Sequence, residues 1–131
     1  MLRAILICLC LSHVECAGGK HLATLASRYF DVWNAHSAHD LRALLADGVT
    51  LRDWDVEKAG LTAVVQANAA IWKSAPDINI EVLSLHVSND TRTVAAEIVV
   101  RMKTLADPLR VVDVITYSPE GLIASVRAYK G

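Results

Sequence analysis

From Leu22 the apolar residues Leu22, Leu25, Tyr29, Val32 and Trp33 recur at spacings of three and four. That period gathers them on one face of an α-helix, predicted to end near Asn34 or Ala35, with Tyr29 on its buried stripe. A second helix is predicted after Ser37, whose hydroxyl can cap it while Asp40 reaches back in a capping box. It would bury Leu41, Leu44 and Leu45 and end at Asp47-Gly48. A short strand follows over Val49 to Asp53, then a loop from Trp54 to Lys58. The third helix begins at Ala59 or Gly60. Its stripe of Leu61, Val64, Val65, Ile71 and Trp72 carries one amide, Asn68, and Pro76 marks its exit.

Beyond Pro76 the period changes to two. Four strands are predicted, Ile78 to Val87, Thr93 to Thr104, Leu109 to Tyr117 and Leu122 to Tyr129. Ser88-Asn89-Asp90, Ala106-Asp107-Pro108 and Ser118-Pro119-Glu120-Gly121 supply the turns between them. Helices first and an antiparallel sheet afterwards is an α+β arrangement, with the helices covering one sheet face. Alternation puts Val94, Ala96, Ile98, Val100 and Met102 on that face with Val111, Asp113 and Ile115. The other face mixes Leu83, Leu85, Val87, Val99, Val112 and Val114 with Glu97, Arg101, Lys103 and Arg110. Such a mixture suits a subunit interface, so a homodimer is expected.

Asp113 interrupts the apolar strand 109–117, on the side shared by Leu109, Val111, Ile115 and Tyr117. A carboxylate driven into an apolar interior must find a partner or stay protonated, because an unpaired buried charge is very costly. Either outcome marks a candidate site. His86 reads as an edge or solvated histidine or a pocket-rim acid or base.

The chain of 131 residues is 53% hydrophobic, ample for one core. Thirteen basic and fourteen acidic residues give a net charge of −1 without blocks of one sign. That distribution offers no nucleic-acid footprint. Residues 1–19 read as a leader, with Arg3, an apolar run from Ala4 to Leu11, and small residues after Cys16. The run is too short for a stable membrane span. Cleavage near Cys16 or Ala17 would send the protein out of the cell or into the endomembrane system; otherwise it is cytoplasmic. The folded domain is then 20–131. All three cysteines, Cys8, Cys10 and Cys16, lie in the leader, which removes disulfides and thiolate metal sites from the domain. His36 and His39 straddle a helix boundary with no third ligand at suitable spacing, so no metal or other cofactor is expected.

Three segments carry a resemblance: 28–35 (RYFDVWNA), 44–53 (LLADGVTLRD) and 111–129, from Val111-Val112-Asp113-Val114-Ile115-Thr116-Tyr117 to Arg127-Ala128-Tyr129. Together they resemble the nuclear transport factor two-like superfamily, in the branch of ketosteroid isomerases and SnoaL-like polyketide cyclases. The resemblance covers nearly everything after Lys20. It implies a cone, in which three N-terminal helices pack on a curved, mainly antiparallel sheet and enclose one pocket. Aligned on these segments, the isomerases' tyrosine on the first helix, aspartate ending the first strand and aspartate inside a later strand fall on Tyr29, Asp53 and Asp113. The resemblance then implies Asp53 as a base, with the Tyr29 hydroxyl and a protonated Asp113 as donors to an oxyanion.

Asn68 departs from that pattern, standing where the isomerases tend to carry a further tyrosine, and the loop after Asp53 is shorter and bears Trp54. These differences put steroid specificity in doubt and point to a smaller ligand, with Trp54 as lid or core plug. Trp33 and Trp72 are core or pocket wall, and Ile98, Val100 and Tyr117, on the Asp113 face, join Trp33, Trp54, Asn68 and Trp72 as candidate ligand contacts. The expected function is an isomerase, cyclase or dehydratase that removes a proton beside a carbonyl of an apolar small molecule. The alternatives are a pocket that binds such a ligand without chemistry and a dimeric adaptor module.

Overall fold

The computed structural model describes residues 21–131. The leader, its cysteines and the question of its cleavage lie outside the described residues. Helix α1 occupies 21–34 and turns Leu22, Ala26, Tyr29, Phe30 and Trp33 inward. Helix α2 spans Ala38–Leu44 and α3 spans Leu61–Ser74. Six strands follow the order β2-β1-β6-β5-β4-β3 in one sheet, with β1 Leu45–Arg52, β2 Glu57–Ala59, β3 Asn79–Ser88, β4 Thr93–Arg101, β5 Leu109–Tyr117 and β6 Ile123–Lys130. All neighbours pair antiparallel except β1 and β6, which run parallel. The fold is α+β, three helices on a mixed, mostly antiparallel open sheet. Among the described residues, no helix is long and apolar enough to cross a membrane.

Ser37 caps α2 as expected, accepting from the Asp40 amide at 3.1 Å. The helix ends earlier than Asp47-Gly48, however. Leu45 already has extended backbone (φ −100°, ψ 141°) and pairs with Ile123, so Asp47 and Gly48 lie inside β1. Helical and strand readings both bury Leu45, so spacing alone could not separate them. The register along β6 slips between Leu45 and Thr50, an irregularity that lets β1 bend around the helices. Strand β2, expected as loop, has no apolar signature because all three of its residues are exposed. It forms because the chain reverses at 53–56 and returns along β1, pairing Arg52 with Glu57 and Leu51 with Lys58. Gly60 then starts α3 with φ 93°, a left-handed backbone that glycine adopts without strain.

Strand β3 also departs from simple alternation. Its register against β4 slips between Val82 and Ser84, a bulge at Leu83. Past it, Leu85 pairs with buried Ala96 and Val87 with buried Val94, on the helix-covered face, while Ser84 pairs with exposed Glu97. One extra residue reverses which side every later side chain takes. The outer face therefore loses Leu85 and Val87, retaining Leu83, Val99, Val112 and Val114. Strand β4 also stops at Arg101 rather than Thr104.

His36, just past the end of α1, is half-buried. It takes a left-handed backbone (φ 54°), its Nε2 lies 2.9 Å from the Ile78 carbonyl oxygen, and its ring stacks on Trp72 at 5.4 Å. His86 is exposed on the outer face, where Nε2 meets Ser84 Oγ at 3.1 Å and Glu97 at 3.2 Å.

Candidate active site

The concave side of the sheet and the helices leave a cavity of about 220 Å³. Tyr29 reaches it from the middle of α1, Asp53 from the end of β1, and Asp113 from the centre of β5. Three segments far apart in sequence thus meet at one space. Trp33, Trp54, Asn68, Ile98 and Val100 line it as well. Trp72 and Tyr117 do not line it. Trp72 sits behind Trp33, edge-on at 5.7 Å, and Tyr117 is 2% exposed in the core.

Asp113 is 6% exposed. Its cross-strand neighbours are Ala96 on β4 and Ala128 on β6, side chains too short to offer a hydrogen bond or a charge. Among the described residues no arginine or lysine pairs with it. Burial, and then the negative charge of Asp53, push the Asp113 carboxyl up to about 7. Below about pH 7 it therefore mostly carries a proton and can donate.

Tyr29 is 5% exposed. Burial, then Asp113, then Tyr117 hold its hydroxyl well above the usual phenol range, so it too keeps its proton. Core tyrosines more often give that proton to a backbone carbonyl, although the core hydroxyl of Tyr117, away from the cavity, is unpaired too. Among the described residues, neither the Tyr29 hydroxyl nor the Asp113 carboxyl has a hydrogen-bond partner, and both belong to side chains that line the cavity.

Asp53 differs. Its Oδ1 accepts from the amides of Asp55 (2.7 Å) and Val56 (2.6 Å), while its own amide donates to the Val56 carbonyl. Capping the turn is therefore a real role of this residue. The same bonds fix the orientation of the carboxyl group, leaving Oδ2 without a partner among the described residues. Asn68 also has a definite task. Its Oδ1 accepts from Trp33 Nε1 at 2.9 Å and its Nδ2 donates to the Val64 carbonyl at 2.9 Å, so it locks the indole that walls the cavity. Trp54, 43% exposed at the rim, has the Lys130 ammonium 5.5 Å from its ring centre.

Leu51, Ile71, Ile78, Met102, Leu109 and Val126 line the cavity without having been singled out by sequence. Strand alternation marks some of them as inward, but an aliphatic wall has no chemical signature that separates it from ordinary core.

Residues 26–126 match the family described as the SnoaL-like domain. Similar solved structures include the epoxide hydrolase/cyclase-like enzyme SalBIII of pyran ring formation in the polyether salinomycin, at 21% identity and a TM-score of 0.75, covering 86% of this chain and 92% of that one. A proposed ketosteroid isomerase from Kribbella flavida matches at 20% identity and a TM-score of 0.73, over 86% of this chain and 79% of that one. A proposed polyketide cyclase from Sinorhizobium meliloti matches at 19% and 0.73, over 81% and 94%. At these identities the likeness is one of fold. No curated protein matches the chain.

Proposed function

This chain belongs to the family of SnoaL-like domains, and from that premise we propose that it is a small-molecule enzyme that removes a proton from carbon beside a carbonyl. Neighbours of the same fold described as cyclase and isomerase support a small-molecule enzyme in general, without bearing on the mechanism. One observation carries the reading. Tyr29 and Asp113, both buried and both proton-bearing, line the same cavity as a carboxylate anchored through one oxygen.

Asp53 Oδ2 is the base. It takes the α-proton, and the electron pair left on carbon moves to the carbonyl oxygen as an enolate. The Tyr29 hydroxyl and the Asp113 carboxyl donate hydrogen bonds to that oxygen, strongest when its charge is greatest, which lowers the barrier more than it tightens ground-state binding. Returning the proton to a conjugated carbon gives an isomer; attack of the enolate carbon on a second carbonyl of the same molecule, whose π pair moves to its oxygen and takes the proton back from Asp53, gives a ring. No metal or cofactor enters either path.

The experiment is deuterium exchange at the α-carbon of enolisable ketones in D₂O, followed by NMR. We expect exchange above the buffer rate for a subset of a panel of cyclic β,γ-unsaturated ketones and β-keto esters, abolished in Asp53→Asn. A wild type indistinguishable from buffer across the panel, or an Asp53→Asn variant as active as wild type, overturns the proposal.

A further inference from the structure

Beside the cavity, between α3 and the β1–β2 hairpin, runs a second and larger space of about 550 Å³. Leu51, Asp53, Ile71, Ile78 and Met102 line both spaces, so the groove abuts the cavity along the wall that holds the proposed base. Its floor is small and apolar. Ala67, Ala70 and Ala75 come from α3 or its end, and the one hydroxyl of that helix at the groove, Ser74, is already bonded to the Ala70 carbonyl.

The exception is Lys58. It pairs with Leu51 across the β1–β2 hairpin, and directly opposed residues of an antiparallel pair project to the same face. That register aims Lys58 into the groove rather than to the outer side. Among the described residues it is the only cation lining either space, and it has no acidic partner there. An apolar trough ending in an unpaired ammonium complements an amphiphile with an anionic end. A lysine at an ordinary surface needs no such partner, but this one stands at a space walled mainly by alanine and aliphatic side chains, where Asp53, Ser74 and Thr104 are the other polar groups.

We propose that groove and cavity form one bipartite site, and that the substrate class is an elongated apolar keto acid. Its carbonyl end occupies the cavity, its hydrocarbon body lies over α3, and its carboxylate pairs with Lys58. The proposal rests on the reading of the cavity as a reaction site, and it reverses the expectation of a small ligand drawn from the short, Trp54-bearing loop. Specificity for the anion lies on β2, a strand with no apolar signature in the sequence.

The test is a binding measurement that needs no turnover: isothermal titration with decanoate and with its methyl ester, which keeps the chain and removes the charge. Wild type should bind decanoate at least tenfold more tightly than the ester. Lys58→Gln should lose that preference while binding the ester as wild type does, and Ala70→Trp, which fills the trough from an exposed helix position, should weaken both ligands at least tenfold. Equal affinity for the two ligands in wild type, no binding of either, or a preference that survives in Lys58→Gln overturns the proposal. Failure of ketone exchange with this binding pattern intact removes the chemistry and leaves the groove assignment standing; exchange without the pattern does the reverse.

Discussion

The two faces of the β4–β5 pair treat acidic side chains in opposite ways. On the outer face Glu97 is exposed, yet it accepts from Ser84 and lies 3.2 Å from His86 Nε2, and both contacts hold its carboxyl below the usual glutamate range. One residue along the ladder, Ala96 pairs with Asp113 on the inner face, where a buried carboxyl has no partner at all among the described residues. Water could have solvated Glu97 cheaply, and it is paired; Asp113 is buried at a cavity wall, and no protein group among the described residues pairs with it. Stability explains the first arrangement and opposes the second, since a buried polar group without a partner costs about 1–3 kcal/mol. A residue kept against stability, beside a second unpaired donor in one cavity, is what a site for a developing oxyanion requires.

The largest effect expected from breaking this contrast is at Asp53. Asp53→Asn keeps one acceptor for the turn amides but removes the base, so ketone exchange should fall by about 10²–10⁴-fold with ligand affinity nearly unchanged, as read by steady-state kinetics beside titration. A comparable loss of affinity would assign Asp53 to binding and turn geometry instead.

Next is the stability of Asp113→Asn. Because the folded pKa of Asp113 is raised to about 7 from 3.8, the native state binds the extra proton between these values, and stability from this group falls as pH rises through that window. Asparagine has no such penalty and can still donate. Denaturant unfolding should therefore give equal stabilities near pH 4 and a growing advantage to the variant towards pH 8, bounded by about 4 kcal/mol at about 1.4 kcal/mol per pKa unit. A variant less stable at neutral pH, converging with wild type in acid, would falsify the unpaired-donor reading.

Tyr29→Phe sharpens the same contrast. Removing one oxyanion donor should slow exchange by about 10²-fold, while stability changes by less than about 0.5 kcal/mol because no protein hydrogen bond is lost. A large loss of stability would mean that the hydroxyl has a structural partner. The outer face should matter least to chemistry: Glu97→Gln should leave exchange rates at the wild-type value, and a change there would couple the two faces. The proposed homodimer belongs to that face too. Leu83, 51% exposed, would sit within it, so light scattering should give twice the chain mass for wild type and a monomer for Leu83→Glu. A monomeric wild type removes the dimer.

What the sequence reveals follows the same division. The α1 and α3 stripes and the β5 span are legible because their periodicity is strong, and Asp113 stands out because it breaks an apolar face. Leu45 is misread because it is buried under either period. The Leu83 bulge is invisible because Leu83, Leu85 and Val87 alternate without interruption in sequence, and only the pairing with β4 shows the slip. Lys58 escapes notice for a different reason: its significance depends on being opposite Leu51, a relation set by a turn that Asp53 itself caps. Of the candidate ligand contacts, Trp72 and Tyr117 share a face with true lining residues, and depth along that face is not encoded in alternation.

The most direct measurement is a pH titration of the Asp113 side-chain carboxyl carbon by ¹³C NMR, with Asp113→Asn to assign its resonance. A midpoint near 7, moving downward when Asp53→Asn removes the neighbouring charge, is the predicted result. A midpoint at or below the ordinary aspartate value of about 3.9, or one insensitive to Asp53, would show a paired, ionised carboxylate and contradict the unpaired donor on which the proposed chemistry depends.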